Sequence, residues 1–313
     1  MRYISILLLS FSLITLNCFA KGYGDVICGS YPISIYDLDF THNNFKVIFY
    51  YWGLSKTGYN AGKNMEISNA TEYKLEFNEM DKVPGFDRSN VRYNASVIKN
   101  WDLTYFPFDR QILEVIMEDI VHEENGLKYI VDAKNSTIDP LFSIEGWSLD
   151  KFEMKTDTHI YTTNFGDESI KNSKFSRLKL IFHVKRFGGR LYASLFMGFF
   201  IAFLLCLIVY ICPVDSVNFR SSIILGAIFS AIGNKYVIQQ SIPPNTFVLL
   251  FDAIQIITFI IIFYTLLVII ATQRLAISGK KEKAIFFNQF SLLFTIVFYV
   301  IGVIVFTRIA FVS

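Results

Sequence analysis

Two charged residues, Asp109 and Arg186, stand where they could join distant parts of the chain by an ion pair. Asp109 belongs to residues 101–111, whose sequence is WDLTYFPFDRQ, and Arg186 ends an alternating apolar segment. A carboxylate accepts charge-assisted hydrogen bonds from a guanidinium group, and a desolvated junction favours such pairing. The alternative is that Asp109 only caps a turn and Arg186 only anchors beside a membrane.

The same segment places two aromatic side chains on an expected turn. Pro107 fixes its backbone torsion and offers no amide donor. Phe106 and Phe108 flank it, although loops normally expose polar residues. We therefore expect them to meet a partner surface, formed by the ends of the apolar segments that follow.

A second group of residues could bind a ligand. Residues 118–124, EDIVHEE, include Glu118 and His122. Such acids could bind an amine, a divalent cation or protons, with His122 as a pH sensor. A charged run is otherwise a solvated face.

No catalytic set is present in the sequence. The four histidines, His42, His122, His159 and His183, lack metal-ligand spacing, and no HExxH motif, phosphate loop or nucleophile elbow occurs. We therefore expect no enzyme activity, no cofactor and no metal. The net charge of +2 gives no indication of a nucleic-acid partner.

The apolar residues are concentrated in the second half of the chain. Four segments, near 191–212, 221–242, 246–271 and 285–312, are long enough to cross a lipid bilayer. Residues 1–20 have the composition of a signal peptide, with Arg2 before a short apolar run and a small-residue cleavage site. The alternative for this segment is a first membrane anchor.

The basic residues predict the orientation. Arg274, Lys280, Lys281 and Lys283 lie between the third and fourth segments, and Arg220 between the first and second. Because basic residues stay on the cytoplasmic side, we expect a multi-pass protein of the cell membrane (the inner membrane of a Gram-negative cell) with its N-terminal domain outside.

Residues 21–186 predict an all-β domain. Apolar residues alternate over 45–52, 110–118, 143–154 and 178–185, and turn residues separate these runs, which is typical of a sandwich or barrel. Cys28 is the one cysteine there, so no internal disulfide is expected. Residues 185–189 connect this domain directly to the helical domain, 187–313, and a short connection could transmit strand movement.

The tetrapeptide FPFD at 106–109, followed by Gln111, resembles the signature loop of the pentameric ligand-gated ion channels, the Cys-loop receptor superfamily. The bracketing cysteines of the animal members correspond by spacing to Lys99 and Leu113, and the link 278–283 is short. Both features resemble the bacterial branch. Two departures are the sequence FGGR after Arg186, where the family usually has a proline, and Lys235 inside the second span.

The resemblance implies an extracellular β-sandwich and a four-helix transmembrane domain assembled as a homopentamer with four further copies of itself. Agonists would bind between neighbouring outer domains, in a box of aromatic residues. On this basis the ligand candidates are Tyr50, Trp52, Glu118, His122, Tyr161 and Phe165, with the last two aromatics in a mobile hairpin at 156–175. Trp52 could equally belong to the sandwich core. Residues Phe106, Pro107, Phe108, Asp109 and Arg186 would couple binding to gating.

The second span is the candidate pore helix. On a helical wheel its polar and small residues, which include Ser230 and Asn234, fall largely on one side, and such a stripe either contacts water or packs against other helices. If Pro243 is the proline that follows this helix in the family, the pore-lining positions are Ser222, Gly226, Phe229, Gly233, Tyr236 and Gln240. Phe229 would be a hydrophobic constriction. Lys235 would lie beside the pore and could pair with Asp252, the one acid of the third span.

We therefore expect a ligand-gated channel for permeant ions, opened by an unidentified small molecule, amine, cation or proton. The alternative is a non-conducting membrane receptor or scaffold with the same fold. For a coupling pair, Asp109→Asn and Arg186→Gln would abolish gating and leave assembly near normal.

Overall fold

The computed structural model describes residues 22–166, 168, 172–240, 242–243 and 247–312. The predicted signal peptide, residues 1–20, lies outside these ranges. The described chain begins with a β-rich region and ends with four long apolar helices. The strands are β1 (Gly24–Asp39), β2 (Asn44–Ser55), β3 (Met65–Ile67), β4 (Ala70–Val83), β5 (Phe86–Ile98), β6 (Arg110–Asp119), β7 (Leu127–Val131), β8 (Trp147–Tyr161) and β9 (Ser173–Arg186). The helices are α1 (Ala61–Asn64), α2 (Gly188–Ile211), α3 (Val217–Gln239), α4 (Leu249–Ile277) and α5 (Lys281–Val312).

The strands form two sheets that enclose one apolar core. The first sheet has the order β4-β5-β2-β1-β7 and the second has the order β3-β6-β9-β8. Alternation decides which side chains enter the core. In β2, for example, Phe49 and Tyr51 are fully buried, whereas Tyr50 and Trp52 lie on the other face and are half-buried. This is the two-residue period of a strand with one covered face.

The fourth predicted strand was wrong in its bounds. Residues 143–154 were expected to be extended, but β8 begins at Trp147 and continues to Tyr161. Gly146, at a φ of 77°, precedes the strand, and a register irregularity between Leu149 and Lys151 breaks the alternation. Tyr161 is the last residue of β8 and pairs with Ser173 of β9, so it lies within the predicted hairpin at 156–175, whose mobility stays a prediction.

Helices α2, α3, α4 and α5 are long and apolar enough to cross a membrane. One predicted placement in this region was wrong: Arg220 lies in the first turn of α3, where it is fully buried, and not in the link before it. Asp252 lies within the third long helix, as predicted. It is in the first turn of α4, where its carboxylate accepts a hydrogen bond from the Val248 amide at 3.3 Å. An acid at this position satisfies an amide that the helix leaves unpaired.

The two regions meet without an intervening linker. β9 ends at Arg186 and α2 begins at Gly188, so Phe187 alone separates them. A second apolar core joins the helices, and it also includes Leu103 and Phe106 from the segment before β6. The segment 101–111, which contains residues 106–109, is thus packed against the helical region.

Candidate functional site

Asp109 and Arg186 form a buried, two-point ion pair at the junction of the two regions. Arg186 Nε lies 2.7 Å from Asp109 Oδ1, and its Nη2 lies 3.2 Å from Oδ2. The Gln111 amide also donates to Asp109 Oδ2, at 2.9 Å, and to the Asp102 carbonyl, at 2.6 Å. The predicted pairing is present in this structure, and its role in gating stays a prediction.

Three aromatic rings surround the Arg186 guanidinium group. Its central carbon lies 4.1 Å from the ring centre of Trp147, 4.7 Å from Phe40 and 5.0 Å from Phe106. Ring faces attract a cation, and the attraction strengthens where water is excluded. The arginine therefore has both a carboxylate and an aromatic cage, which accounts for a charge that is only 9% exposed.

The loop that carries this pair also touches the helices. The Phe108 ring lies 5.6 Å from Tyr192 of α2 and 5.7 Å from Phe311 near the end of α5. The Thr104 carbonyl accepts a hydrogen bond from the Leu249 amide, the first residue of α4, at 2.9 Å. The Phe106–Pro107 peptide is cis. A movement of this loop would therefore act directly on three helices, α2, α4 and α5.

The start of α2 is fitted closely against the same loop. A methyl group at Gly188 would overlap the Pro107 carbonyl and the Phe108 ring. Glycine is required at this position because the two backbones approach too closely for a side chain.

Three of the ligand candidates come together on the second sheet. Tyr161 donates a hydrogen bond to Glu118 at 2.8 Å, and its ring lies 5.5 Å from Phe165. Arg177, which the sequence analysis missed, bonds the other Glu118 oxygen and donates to the Tyr161 hydroxyl at 3.2 Å. Glu118 is therefore a buried, paired carboxylate and not part of a solvated face. Arg177 lies directly opposite Glu118 in the β6–β9 register, so a correct strand alignment would have found it.

His122 does not join this group. Its ring nitrogen Nδ1 lies 3.0 Å from Asp119 Oδ1, and the ring packs against Tyr23 at 4.8 Å. Asp119 follows Glu118 on β6, so the two acids project to opposite faces of the strand. The expectation that His122 shares a site with Glu118 is not supported by these contacts.

Tyr50 and Trp52 lie on the other sheet, away from this group. Tyr50 packs against Phe77 of the edge strand β4, with Arg92 over its ring at 5.7 Å. Trp52 contributes to an open pocket of about 380 Å³, whose walls include Asn90 and Asp132. Neither side chain is part of the sandwich core, which was the alternative for Trp52.

Glu66 adds a second carboxyl beside Glu118, directly opposite it in the β3–β6 register. Burial first, and then the charge of Glu118, raise the pKa of Glu66 above its ordinary value of 4.5. The folded state therefore holds the Glu66 proton more tightly than the unfolded state does. The bound Glu66 proton therefore stabilises the folded state fully below pH 4.5, and this stabilisation is lost as the pH rises through the folded-state pKa.

We expect Glu66→Gln to raise the melting temperature at neutral pH. The free energy of unfolding should increase by at most about 1 kcal/mol, because the group is partly solvated. The gain should disappear below pH 4.5, where the wild-type carboxyl is protonated in both states. Tryptophan fluorescence can follow this, because Trp52, Trp101 and Trp147 are the only tryptophans and all lie in the β-rich region. Melting temperatures that differ by the same amount at pH 4 and pH 7 would contradict the prediction.

The predicted pore-lining positions follow one face of α3. Ser222, Phe229, Gly233, Tyr236 and Gln240 are all exposed, and Gly226 is half-buried. Phe229 and Tyr236 are 66% and 62% exposed. Steps of three and four residues keep these positions on one side of a helix. Within the described chain only Gly226 of these positions is partly covered, with Leu205 of α2 beside it.

Part of the polar stripe faces another helix. Ser230 donates to the Gly198 carbonyl of α2 at 2.8 Å, and Asn234 accepts from the Gly198 amide at 2.9 Å. These two residues therefore hold α3 against α2, which is the alternative of helix packing. Residues 241 and 244–246 lie outside the described ranges.

The predicted pairing of Lys235 with Asp252 is absent from the described structure. Lys235 is half-buried and takes part in no ion pair there, while Asp252 is engaged at the start of α4. Among the residues that the structure describes, no carboxylate pairs with Lys235.

The chain matches no protein-family model and no curated protein. The function is therefore inferred from the geometry of the junction, the sheets and α3.

Proposed function

We propose that this chain is one subunit of a ligand-gated ion channel, in which α3 lines the pore. The exposed face of α3 carries the proposal. A membrane-spanning face with serine, glycine, tyrosine and glutamine is poorly suited to lipid, since polar groups in the hydrocarbon region are costly. If several copies were arranged with these faces toward a common axis, the faces would contact the water of a central pore instead of lipid.

The free edges of the two sheets support a ring of such copies. β4 is one edge of the first sheet, with most of its residues exposed, including Tyr73 and Phe77. β8 is an edge of the second sheet and lies on the opposite side of the sandwich, because it packs beside β7, the far edge of the first sheet. Two different surfaces on opposite sides suit head-to-tail contacts, which form a ring when the rotation between neighbouring copies closes. We propose five copies, as in the family that residues 106–109 resemble.

The same arrangement would complete the ligand site. Within one subunit Glu118, Tyr161 and Phe165 are separated from Tyr50 and Trp52. Tyr161 ends the edge strand β8, and Tyr50 packs against the edge strand β4, so each half lies close to a free edge. Head-to-tail contact would bring the halves of neighbouring subunits together around a small-molecule agonist.

The junction then offers a route from ligand to pore. β9 carries Arg177 in the ligand group and Arg186 at the junction, and it continues into α2 after one residue. The loop paired with Arg186 touches α2, α4 and α5. We propose that strand movement reaches the helices through these contacts, with the β-rich domain outside the cell.

Two measurements on purified full-length protein test this function. Native mass in detergent is expected to equal five copies, and a stable monomer or dimer would contradict the ring. Ion efflux from liposomes is expected to exceed that of empty liposomes in the presence of an agonist, or without one in the leaky variant described below. A correctly assembled pentamer in which neither sample conducts would favour the non-conducting scaffold, for which the bulky rings of Phe229 and Tyr236 on the α3 face are the supporting observation.

A further inference from the structure

An apolar groove runs along the outer surface of the helical region, between α4 and α5. Its volume is about 440 Å³, and its floor includes Ile257 of α4 and Gly302 of α5. The two helices approach closely there, since a methyl group at Gly302 would lie 2.7 Å from Ile257 Cδ1. The groove opens away from the bundle, toward lipid, because its α5 wall is 40–56% exposed at Phe294, Phe298, Ile301 and Val305.

The stripe of α5 that lines this groove ends in an arginine. Positions 294, 298, 301 and 305 are followed by Arg308, and steps of three and four residues keep all five on one side of a helix. Arg308 is exposed, and among the described residues no carboxylate forms an ion pair with it. It is also the only charged residue of α5 between Ala284 and Val312. An apolar groove with such a cation at its end fits a ligand with a long apolar chain and an anionic head.

The dimensions of the groove match one leaflet of a bilayer. From Phe294 to Val305 the stripe is about 17 Å long, at 1.5 Å per residue. The hydrocarbon layer of one leaflet is about 15 Å thick, half of the whole core of about 30 Å. Arg308 lies about 5 Å further along the helix axis, at the level expected for lipid head groups. The groove therefore has the length of an acyl chain whose head group would lie beside Arg308.

A second arginine lies at the same level. The hydroxyls of Tyr192 on α2 and Thr307 on α5 share a hydrogen bond of 3.0 Å, so Arg190 is close in height to Arg308. Arg190 is exposed, and no ion pair joins it to a carboxylate in the described part of the chain. The one acid of α4, Asp252, is engaged by a backbone amide. This rim of the helical region is therefore positive, which attracts anionic lipids.

From these observations we propose that the groove binds one phospholipid with a negatively charged head group, from the leaflet on the side of the β-rich region. Its acyl chain lies along Phe298 and Ile301. Its phosphate accepts hydrogen bonds from Arg308, because the planar guanidinium group matches the geometry of phosphate oxygens. The site requires only that α4 and α5 cross a bilayer, so it would be present whether or not the chain conducts ions.

Native mass spectrometry of the full-length protein in detergent tests the site. The probe is dioleoyl phosphatidylglycerol at increasing concentration, and dioleoylglycerol is its counterpart without phosphate. We expect saturable binding of at least one phosphatidylglycerol per subunit and at least tenfold weaker binding of dioleoylglycerol. Arg308→Gln should raise the apparent dissociation constant for phosphatidylglycerol by about tenfold, which is in the range expected for one lost hydrogen bond to a charged group.

Val305→Trp fills the groove without removing a charge, and it should abolish the tight binding of one lipid per subunit. Val300→Trp is its matched control, because Val300 lies on α5 outside the groove and is 41% exposed, close to the 45% of Val305. Arg274→Gln removes an exposed arginine near the end of α4 and should leave the dissociation constant unchanged. The mass of each variant without lipid shows whether it assembles as the wild type does.

Equally tight binding of dioleoylglycerol, or unchanged binding in Arg308→Gln, would overturn the recognition of phosphate. Loss of the lipid in both tryptophan variants, or in neither, would overturn the groove as its site. If Val305→Trp instead changed the number of protein copies in the complex, a neighbouring copy and not a lipid would cover the groove. None of these results would decide the channel function, which liposome flux tests separately.

Discussion

Arg186→Gln is expected to abolish agonist-dependent flux and to destabilise the β-rich region by about 3–5 kcal/mol, the usual cost of removing one partner of a buried ion pair. The substitution leaves Asp109 buried with Gln111 as its remaining side-chain hydrogen-bond donor. It also removes the cation from the rings of Trp147, Phe40 and Phe106.

Asp109→Asn should be milder in stability, because Arg186 keeps its aromatic cage. It should still abolish gating, since the two-point bond that ties the loop to β9 is lost. Burial of both groups changes the earlier expectation that assembly would stay near normal in either variant. We now expect lower melting temperatures for both, with the larger decrease for Arg186→Gln.

Melting by tryptophan fluorescence and liposome flux below the melting temperature separate the two effects. Arg110→Gln is a matched control, because Arg110 pairs with Asp150 at 3.2 Å on the surface, and exposed pairs contribute at most about 1 kcal/mol. The double variant should cost less than the sum of the single ones, because each single change leaves one group unpaired. Normal flux in both single variants at full assembly would show that the pair is structural only.

The architecture was accessible from sequence because its signals are local. Long apolar runs are sufficient to predict α2 to α5, and the alternation around Leu113 and Val115 predicts β6 within one residue. The Asp109–Arg186 bond was also predictable, since one acid on a loop and one base at a strand end converge on the same junction.

The remaining contacts depend on how distant segments align. Arg177 meets Glu118 only through the register of β6 with β9. Arg220 was read as a positive charge in a link, but its acceptors lie on three helices far apart in sequence. A helical wheel shows that Ser230 and Asn234 are on a polar side, but it cannot show that this side meets Gly198 of α2 rather than water. The periodicity of a sequence shows which residues share one face of a helix or strand, but only the packed structure shows which element contacts that face.

Phe229→Ser is expected to give ion flux without any agonist. Phe229 lies near the middle of α3, about 10 Å from Ser222 and about 17 Å from Gln240 along the helix axis. Its neighbours on the same face are Gly226 and Gly233, so the ring projects where the adjacent positions have almost no side chain. In a ring of five subunits this would be a narrow apolar constriction, which excludes water and so blocks ions without filling the pore.

Serine at this position should let water enter, because it is small and hydrogen-bonds to water. A barrier lowered by about 3 kcal/mol would already increase flux roughly a hundredfold. Phe229→Leu should remain closed at rest and respond to agonist with altered sensitivity, since leucine keeps the constriction apolar. Efflux of a trapped ion from liposomes measures both variants.

Phe263→Ser makes the same substitution at an exposed position of α4 and should stay as tight as wild type. This control separates wetting of a pore from general loosening of the helices, which would make both serine variants leak. If Phe229→Ser assembles correctly and is as tight as wild type, then either Phe229 does not face a pore or the chain forms no conducting pore. Cysteine at 229 distinguishes these two cases, because a water-soluble thiol reagent reacts with a side chain in an aqueous pore and not with one buried between helices.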